Sequence, residues 1–236
     1  MRPFLVLCAV IILLSLAHVV YSVPVSPSGL NVLSTGTRTV SGTTTLGAQG
    51  GNVTAVNIDA LSVTRTWQGY FGNITGNVRL DDANNVSFYS WGNGTTMSGE
   101  VYASRNNSLN WSSINCSNVT QREQEETDLG VVAADADSVT NTFNSTSHPD
   151  IIIGTRTIAQ NTCYSTNVNV NGTAQNTTFH QVLLADNWNS TVYTAIIAND
   201  QYGYNSQLVD FQLLVGENEH DGSSGPTTYY FYVELN

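Results

Sequence analysis

The sequence predicts a mainly β fold: an antiparallel β-sandwich or jelly-roll-like domain with a short helical excursion between two cysteines. Short segments rich in Val, Ile, Thr and Tyr alternate between apolar and polar residues, as strands with one buried face do. Clusters of Gly and Asn separate these segments at short intervals, which is typical of tight turns. A single stretch, residues 117–148, carries helix start and stop signals instead.

The first 22 residues are predicted to be a signal peptide. Arg2 precedes an apolar run from Phe4 to Ala17, and Val20-Tyr21-Ser22 has the pattern of a cleavage site. We expect cleavage after Ser22, which places the protein outside the cell or on its surface. The alternative is an uncleaved membrane anchor, because the run from Phe4 to Val20 reaches the minimum length of a bilayer span.

Residues 23–51 are predicted to be a flexible arm, and residues 52–236 a single β-rich domain. The arm is rich in Ser, Thr, Gly and Pro, a composition typical of extended or flexible segments. It is expected either to remain a poorly ordered terminus or to act as a strand donated to a neighbouring subunit.

The strongest strand patterns after the arm lie in residues 52–110. Residues 53–60 and 61–71 alternate with period two, and Asp81–Asn85 is predicted to form a hairpin turn. In the second of these segments one face is predicted to be buried, because the opposite face is mostly polar. The predicted buried face consists of Leu61, Val63, Arg65, Trp67, Gly69 and Phe71.

Two helices are predicted within the excursion. The first has cap-forming residues before a run of glutamates and ends at Gly130, and the second is capped near Asp137. Strand patterns return after His148. The last strand, within residues 228–235, is apolar on both faces at its centre, which predicts that the core or another subunit covers it.

Two cysteines, Cys116 and Cys163, remain after the leader. An even pair in an exported chain predicts a disulfide. Closing a loop of this length stabilises a fold by about 3–4 kcal/mol in the chain-entropy account. The alternatives are two buried thiols or a metal site, and the second of these lacks histidines at ligand spacing.

Glycosylation sequons of the type Asn-x-Ser/Thr are abundant, and none occurs before Asn52 or after Asn189. A sequon can carry a sugar only where the glycan projects into solvent in an exported protein. The bare ends are therefore where we expect subunits to meet. The twelve candidate glycosylation sites are Asn52, Asn73, Asn85, Asn93, Asn106, Asn110, Asn115, Asn118, Asn144, Asn171, Asn176 and Asn189.

The net charge of the chain disfavours some classes of binding partner. There is no lysine, and 7 arginines face 18 acidic residues, which gives a formal net charge of −11. Such a surface repels phosphate backbones and anionic headgroups, so nucleic acid and direct lipid binding are disfavoured. No segment after the leader is long and apolar enough to predict a membrane span.

Four short motifs resemble those of secreted archaeal surface and filament glycoproteins. They are ThrTrpGlnGlyTyrPheGlyAsn at residues 66–73, AspAspAlaAsnAsn at 81–85, TyrSerTrp at 89–91 and TyrTyrPheTyrValGluLeu at 229–235. The resemblance implies an archaeal cell surface and a β-rich fold, and it implies no catalytic residues.

Signatures of enzymes are absent from the sequence: there is no Gly-x-Ser-x-Gly, no His-Glu-x-x-His and no phosphate-binding loop with its lysine. We therefore predict no enzymatic activity and no catalytic residue. The adjacent carboxylates Asp81 and Asp82 suit a turn rather than a glycosidase pair.

Calcium is the best candidate cofactor, since hard cations prefer oxygen-rich loops, although none of the acidic turns has the spacing of a calcium loop. We predict no metal ligand among them. The candidate turns contain Asp135, Asp137, Asp186, Asn187, Asn189, Glu217, Asn218, Glu219 and Asp221.

The function expected from these patterns is that of a structural surface glycoprotein. It would self-assemble into a homopolymer, a filament, sheath or surface layer, in which a strand of one subunit completes the sheet of the next. The alternative is a monomeric adhesin or carbohydrate-binding module that uses the aromatic residues between Trp67 and Trp91.

Overall fold

The computed structural model describes residues 23–38, 45–91, 97–218 and 226–236, so the predicted leader and Asn93 lie outside the described residues. Strands dominate the described chain, and their pairings are antiparallel. The strands are β1 (Trp67–Gly72), β2 (Val78–Asp81), β3 (Ser87–Trp91), β4 (Gly99–Ser104), β5 (Asn115–Cys116), β6 (Ile151–Ile153), β7 (Arg156–Ile158), β8 (Ser165–Asn167), β9 (His180–Ala185), β10 (Thr191–Ile196), β11 (Gln201–Tyr202), β12 (Leu208–Val209), β13 (Phe211–Gly216) and β14 (Tyr230–Leu235). The helices are α1 (Val119–Asp128) and α2 (Val139–Thr142), and a 3₁₀ turn spans Trp111–Ser113.

The main sheet has six strands in the order β14-β4-β10-β9-β5, and β8 pairs with the part of β9 that β5 does not reach. All residues of β4 and β9 are buried. Because side chains alternate between the faces of a strand, complete burial requires that both faces of the sheet be covered. The main sheet is therefore the middle layer of the fold.

The first face of the main sheet is covered by β13, which pairs with β1, and by the two helices. The indole ring of Trp67 on β1 lies 5.8 Å from the ring of Phe143 and 6.1 Å from that of Tyr193. Its N–H donates to the carbonyl of Asp137 at 2.7 Å, so the polar atom of this half-buried ring is satisfied. The buried apolar cluster on this face consists of Val101, Ala103, Leu129, Val131, Val139, Phe143, Leu183, Tyr193, Ala195, Ile197, Leu213 and Val215.

A charged network crosses this cluster. Glu125 of α1 is only 1% exposed, and its carboxylate accepts hydrogen bonds from the Tyr193 hydroxyl and the Arg105 guanidinium, each at 2.7 Å. Arg105 also reaches Asp128 at 3.2 Å. Burial and the nearby negative charge of Glu125 raise the pKa of Tyr193, which keeps that hydroxyl a donor. A buried carboxylate is tolerated here because it is paired and hydrogen-bonded.

The predicted helices are present between the two cysteines. The Asn118 side chain accepts from the backbone N–H of Gln121 while the Gln121 side chain accepts from that of Asn118, which forms a capping box. Gly130, at φ +69°, follows the last turn as the sequence pattern predicts. Ser138 caps α2. Its neighbour Asp137 instead accepts hydrogen bonds from the hydroxyls of two threonines in the segment before β1.

The second face of the main sheet is covered by the β6–β7 hairpin. Ile151, Ile153 and Ile158 of the hairpin are buried against Tyr102 of β4 and Val182 of β9. The predicted disulfide between Cys116 and Cys163 is present and lies beside this hairpin. It links β5 at the edge of the main sheet to the segment that leads into β8.

His148 holds the chain next to the disulfide. Its Nε2 accepts hydrogen bonds from the backbone N–H groups of Thr162 and Cys163 at 3.1 and 2.9 Å. A nitrogen that accepts two hydrogen bonds carries no proton, so Nδ1 is the protonated atom and donates to the Pro149 carbonyl. Burial is the main cause that lowers the pKa of His148, in agreement with a neutral structural role.

Two expectations about the first half of the domain are wrong. Residues 53–60 alternate as predicted but form no strand, and Val53 and Ile58 are 102% and 84% exposed. The segment 61–71 becomes a strand only from Trp67, and its faces differ from the prediction. Thr66 is 2% exposed although it was assigned to the open face, whereas Phe71 is 40% exposed. The alternation is real, but no strand of the described residues pairs with residues 53–60.

Replacing Cys116 and Cys163 together with serine should lower the free energy of unfolding by about 2–5 kcal/mol, because the loop that the disulfide closes contains both helices and the β6–β7 hairpin. Denaturant unfolding of the variant and of the wild type, each with and without reductant, measures the difference. Reductant should destabilise the wild type and leave the variant unchanged. Equal stability of the two oxidised proteins would contradict a role for the bond.

Candidate functional site

The outer edge of β14 is the candidate site. β14 pairs with β4 along its whole length and is the outermost strand of the main sheet on that side. On its other edge, Val233 pairs with Val25 of the arm through two backbone hydrogen bonds. The Val25 N–H donates to the Val233 carbonyl at 3.0 Å, and the Val233 N–H donates to the Val25 carbonyl at 2.9 Å. The two sequon-free ends of the chain therefore meet at this edge, which we call the arm seat (β14 with Val233 at its centre).

The contact between the arm and the domain is short. Pro24 is buried, and Val23 packs beside Gly154 in the turn of the β6–β7 hairpin. Beyond Val25 the described arm residues are largely exposed, with Leu30 and Leu33 at 68% and 88%. Most of the outer edge of β14 is consequently free of the arm in the described structure.

Proline positions explain why the pairing is short. In an antiparallel ladder, residues that exchange both hydrogen bonds with the partner alternate along the strand. The neighbours of the Val25–Val233 pair in this register would be Pro27 with Phe231 and Val23 with Leu235. Pro27 has no N–H and provides no donor for Phe231, whereas the missing N–H of Pro24 falls at a position that faces away from β14.

Two glutamates lie face to face beneath the arm seat. Glu234 of β14 is directly opposite Glu100 of β4 in the strand register, and the two residues are 1% and 3% exposed. The Tyr102 hydroxyl lies 3.3 Å from Glu234 and 3.5 Å from Glu100. Backbone N–H groups of the second-face hairpin donate to both, Gly154 to Glu234 at 2.8 Å and Ile152 to Glu100 at 3.2 Å. We call Glu100 and Glu234 the carboxyl pair.

The surroundings favour the protonated form of this pair. Burial, reinforced by the charge of Glu234, raises the pKa of Glu100 to about 8, against the opposing hydrogen bond from Ile152. Burial likewise raises the pKa of Glu234. Burial and the two carboxyl groups raise the pKa of Tyr102, so the hydroxyl stays protonated beside them. Near neutral pH the pair therefore retains a proton.

Sequence reasoning missed the carboxyl pair, because 133 residues separate its members. A usable signal was present: each glutamate stands near the end of a strand segment that is otherwise apolar or aromatic, GlyGluValTyrAla and TyrTyrPheTyrValGluLeu. A charged residue in such a strand is almost always paired when it is buried. Gly99 beside Glu100 has φ +131°, and a Cβ there would clash with the Glu234 carbonyl, so only glycine lets β14 approach this closely.

The described sequon asparagines are exposed or half-buried, and the backbone carbonyl of Asn106 accepts a hydrogen bond from Tyr232 of β14 at 3.4 Å. Asn106 and Asn110 are half-buried and the others are exposed. Asn85, Asn171 and Asn189 have positive φ values and sit in turns, where a side chain points into solvent. The exposed members are Asn52, Asn73, Asn85, Asn115, Asn118, Asn144, Asn171, Asn176 and Asn189.

The predicted aromatic cluster between Trp67 and Trp91 is not one surface. Trp67 belongs to the core, the Tyr70 ring stacks edge-on with Phe231 of β14, and Phe71 contacts another aromatic ring. The second part of the cluster stands on the β2–β3 hairpin, which forms a separate two-stranded sheet. There the rings of Tyr89 and Trp91 meet edge to face with centroids 4.9 Å apart, and the residues are 57% and 53% exposed.

The carboxylates of the candidate calcium turns that the structure describes accept hydrogen bonds from protein donors. Asp186 accepts from the backbone N–H groups of Trp188 and Ser190, which closes the turn between β9 and β10. Asp135 accepts from the N–H of Val132. No group of three or more His, Cys, Asp or Glu side chains placed to hold a metal ion occurs within the described ranges, which do not include Glu219 and Asp221.

Comparison with protein-family models, curated proteins and solved structures found no match to this chain. Among the described residues, no helix has both the length and the apolar character needed to span a bilayer.

Replacing Glu100 with glutamine should make stability less dependent on pH. A carboxyl group whose pKa is raised on folding adds most to the free energy of unfolding below its unfolded pKa of about 4.5. This stabilisation is lost as the pH rises towards about 8. Glutamine has no proton to lose, so at pH 7–8 the variant should be more stable than the wild type by about 3–4 kcal/mol, because this range lies about 2.5–3.5 units above the unfolded pKa and each unit corresponds to about 1.4 kcal/mol. Denaturant unfolding between pH 4 and pH 9 measures this difference.

The matched control is Glu123→Gln, which makes the same change on an exposed position of α1. Its stability should follow the wild-type curve at every pH. A Glu100→Gln protein whose advantage is the same at pH 4 and pH 8 would contradict the raised pKa.

Proposed function

We propose that this protein is a secreted, N-glycosylated structural subunit of an extracellular filament, sheath or surface layer, in which the arm of one subunit lies along β14 of the next. The observation that carries the proposal is the Val25–Val233 pair, in which the start of the arm bonds to the free edge of the last strand. An open strand edge is a template for an added strand, so an edge that already accepts this arm accepts an identical arm from a second copy.

Exchange of arms between subunits costs few contacts. The bonds that Val25 makes to its own β14 are the bonds it would make to a neighbour's β14, which is the situation in which domain swapping is favoured. About 40 residues join Val25 to β1, and an extended chain of that length reaches up to about 130 Å. A domain of this size has a radius of gyration of about 16 Å, so the arm is long enough to reach an adjacent subunit.

The distribution of sequons supports the same interface. The arm from Val23 to Gly51 and the chain beyond Asn189 contain none. Glycans on the remaining surface would leave the arm seat uncovered while shielding other faces from proteases and non-specific association. The archaeal origin and cell-surface location implied by the resemblance are part of this proposal.

A sandwich architecture is also part of the proposal. In one chain, β1 and β13 form a two-stranded layer over the first face of the main sheet. The Tyr70–Phe231 stack links β1 of this layer to β14 of the main sheet. A donated strand next to β14 would extend the main sheet on the side where the two layers meet, which would bring the assembled subunit closer to a jelly-roll arrangement.

Replacing Val25 with proline should prevent assembly without unfolding the subunit. Proline removes the N–H that donates to Val233, and Val25 is 59% exposed, so the core loses little. The secreted protein and its variant are compared by electron microscopy and sedimentation velocity over a range of concentrations, with circular dichroism to confirm folding. Wild-type polymers and variant monomers are the expected result.

The matched control is Val32→Pro, the same substitution at a position of the arm that is 78% exposed and lies outside the seat. It should assemble like the wild type. A wild-type protein that remains monomeric at high concentration, with and without calcium, would eliminate the proposal.

A second candidate function rests on the aromatic pair of the β2–β3 hairpin. Tyr89 and Trp91 present adjacent, half-exposed rings, and such rings are suited to contact with the apolar faces of sugars. In this function the protein is a monomeric adhesin or carbohydrate-binding module rather than a polymer subunit.

Replacing both Tyr89 and Trp91 with alanine distinguishes the two candidate functions. If the hairpin binds sugars, the double variant should lose binding on a glycan array and keep its melting temperature, because neither ring is part of the core clusters. The control Trp67→Ala should instead destabilise the fold, by up to about 3–5 kcal/mol. Absence of any glycan binding by the wild type, or intact binding by the double variant, argues against this candidate.

A further inference from the structure

The carboxyl pair occupies an unusual position for two like-charged groups. Glu100 and Glu234 are directly opposite each other on adjacent antiparallel strands, where like charges are destabilising. Both are nearly inaccessible, so water does not screen their repulsion. Two carboxyl groups at such a site cannot both ionise without a large free-energy cost, and sharing one proton removes most of that cost.

Among the described residues, no compensating cation faces the pair. The salt bridges that Arg79 and Arg105 make with Asp81, Glu125 and Asp128 lie at other sites. Tyr102 is the titratable group of β4 that contacts both carboxyls, and the second-face hairpin contributes only the backbone N–H groups of its turn and first strand. On β10, the residue paired with Glu100 is Ile196, which is apolar. The proton is therefore the only neutralising group that these contacts provide.

The strand that can respond to loss of this proton is β14. β4 is held between β14 and β10, whereas β14 has one full-length neighbour, β4, and a single paired arm residue, Val25, on its other side. Glu234 also lies next to Val233, the residue that binds the arm. Separation of β14 from β4 would let both carboxylates reach water, and it would remove the seat of the arm at the same time.

We propose that Glu100 and Glu234 form a proton-operated latch that holds β14 on β4 and so determines whether the arm seat exists. With a proton on the pair, the carboxyls and the Tyr102 hydroxyl form a hydrogen-bonded group and β14 stays in the sheet. When the proton leaves to solvent, the two carboxylates repel each other and β14 detaches. The control of polymer assembly by this latch rests on the proposed function, but the latch itself acts within one chain.

The pKa of Glu100 determines the pH at which the latch opens. Since burial raises it to about 8, the latch is closed at acidic and neutral pH and opens as the pH rises through about 8. Polymers that depend on the arm seat should accordingly be stable in acid and dissociate in mild alkali.

Hydrogen exchange of the monomeric Val25→Pro protein tests the latch without any assembly. Protection factors, corrected for the intrinsic pH dependence of exchange, are measured for the amides of residues 230–235 and of β9 from pH 5 to pH 9.5. We expect protection in β14 to fall at least tenfold more than protection in β9 between pH 7 and pH 9.5. The difference should disappear in the background of Glu100→Gln or Glu234→Gln and persist in that of Glu123→Gln.

The outcomes distinguish the latch from the proposed function. Equal pH dependence of β14 and β9, or an unchanged loss of β14 protection in both glutamine variants, would overturn the latch even if the wild type forms filaments. A selective loss that the glutamine variants abolish would establish it even if no polymer is ever found. If one glutamine variant does not fold, the other variant and the wild-type profile still decide.

Discussion

The fold depends on one constraint: the main sheet is buried on both faces and must be covered twice. Strands β4 and β9 have no solvent-facing residue, so neither can exist at the surface of a two-layer protein. The β1–β13 pair and the helices cover one face, and the disulfide-linked β6–β7 hairpin covers the other. The segments that cover the two faces are far apart in the sequence, and the connections between them determine the path of the remaining chain.

Buried glutamates on both sides of the main sheet hold neighbouring elements in place, and their charge and hydrogen-bonding requirements are met differently on each side. The buried carboxyl group of Glu125 is compensated by a salt bridge to Arg105 and a hydrogen bond from the Tyr193 hydroxyl. Glu100 and Glu234 have no cation beside them and depend on a proton instead. The same side-chain type therefore has opposite electrostatic roles on the two faces of one sheet.

Local signals in the sequence predicted the parts of the fold that are locally determined. The first helix with its preceding cap, the turn at Asp82 and the strands after His148 are present because caps, turns and alternation act over a few residues, whereas the second helix is capped by Ser138 and not by the neighbouring Asp137. Long-range pairing could not be predicted in this way. Residues 53–60 have a strand pattern but no pairing strand within the described part of the chain, and the contact between Val25 and Val233 joins segments more than 200 residues apart.

The Cys116–Cys163 loop contains the hairpin that supplies the N–H groups of Ile152 and Gly154 to the carboxyl pair. Proton affinity at Glu100 and Glu234 is thus thermodynamically linked to the oxidation state of the cysteines. Reduction would loosen the cover, admit water and lower the proton affinity of the pair towards that of free glutamate. By the same linkage, taking up the proton favours the oxidised protein. Formation of the disulfide and closure of the last strand are therefore thermodynamically linked.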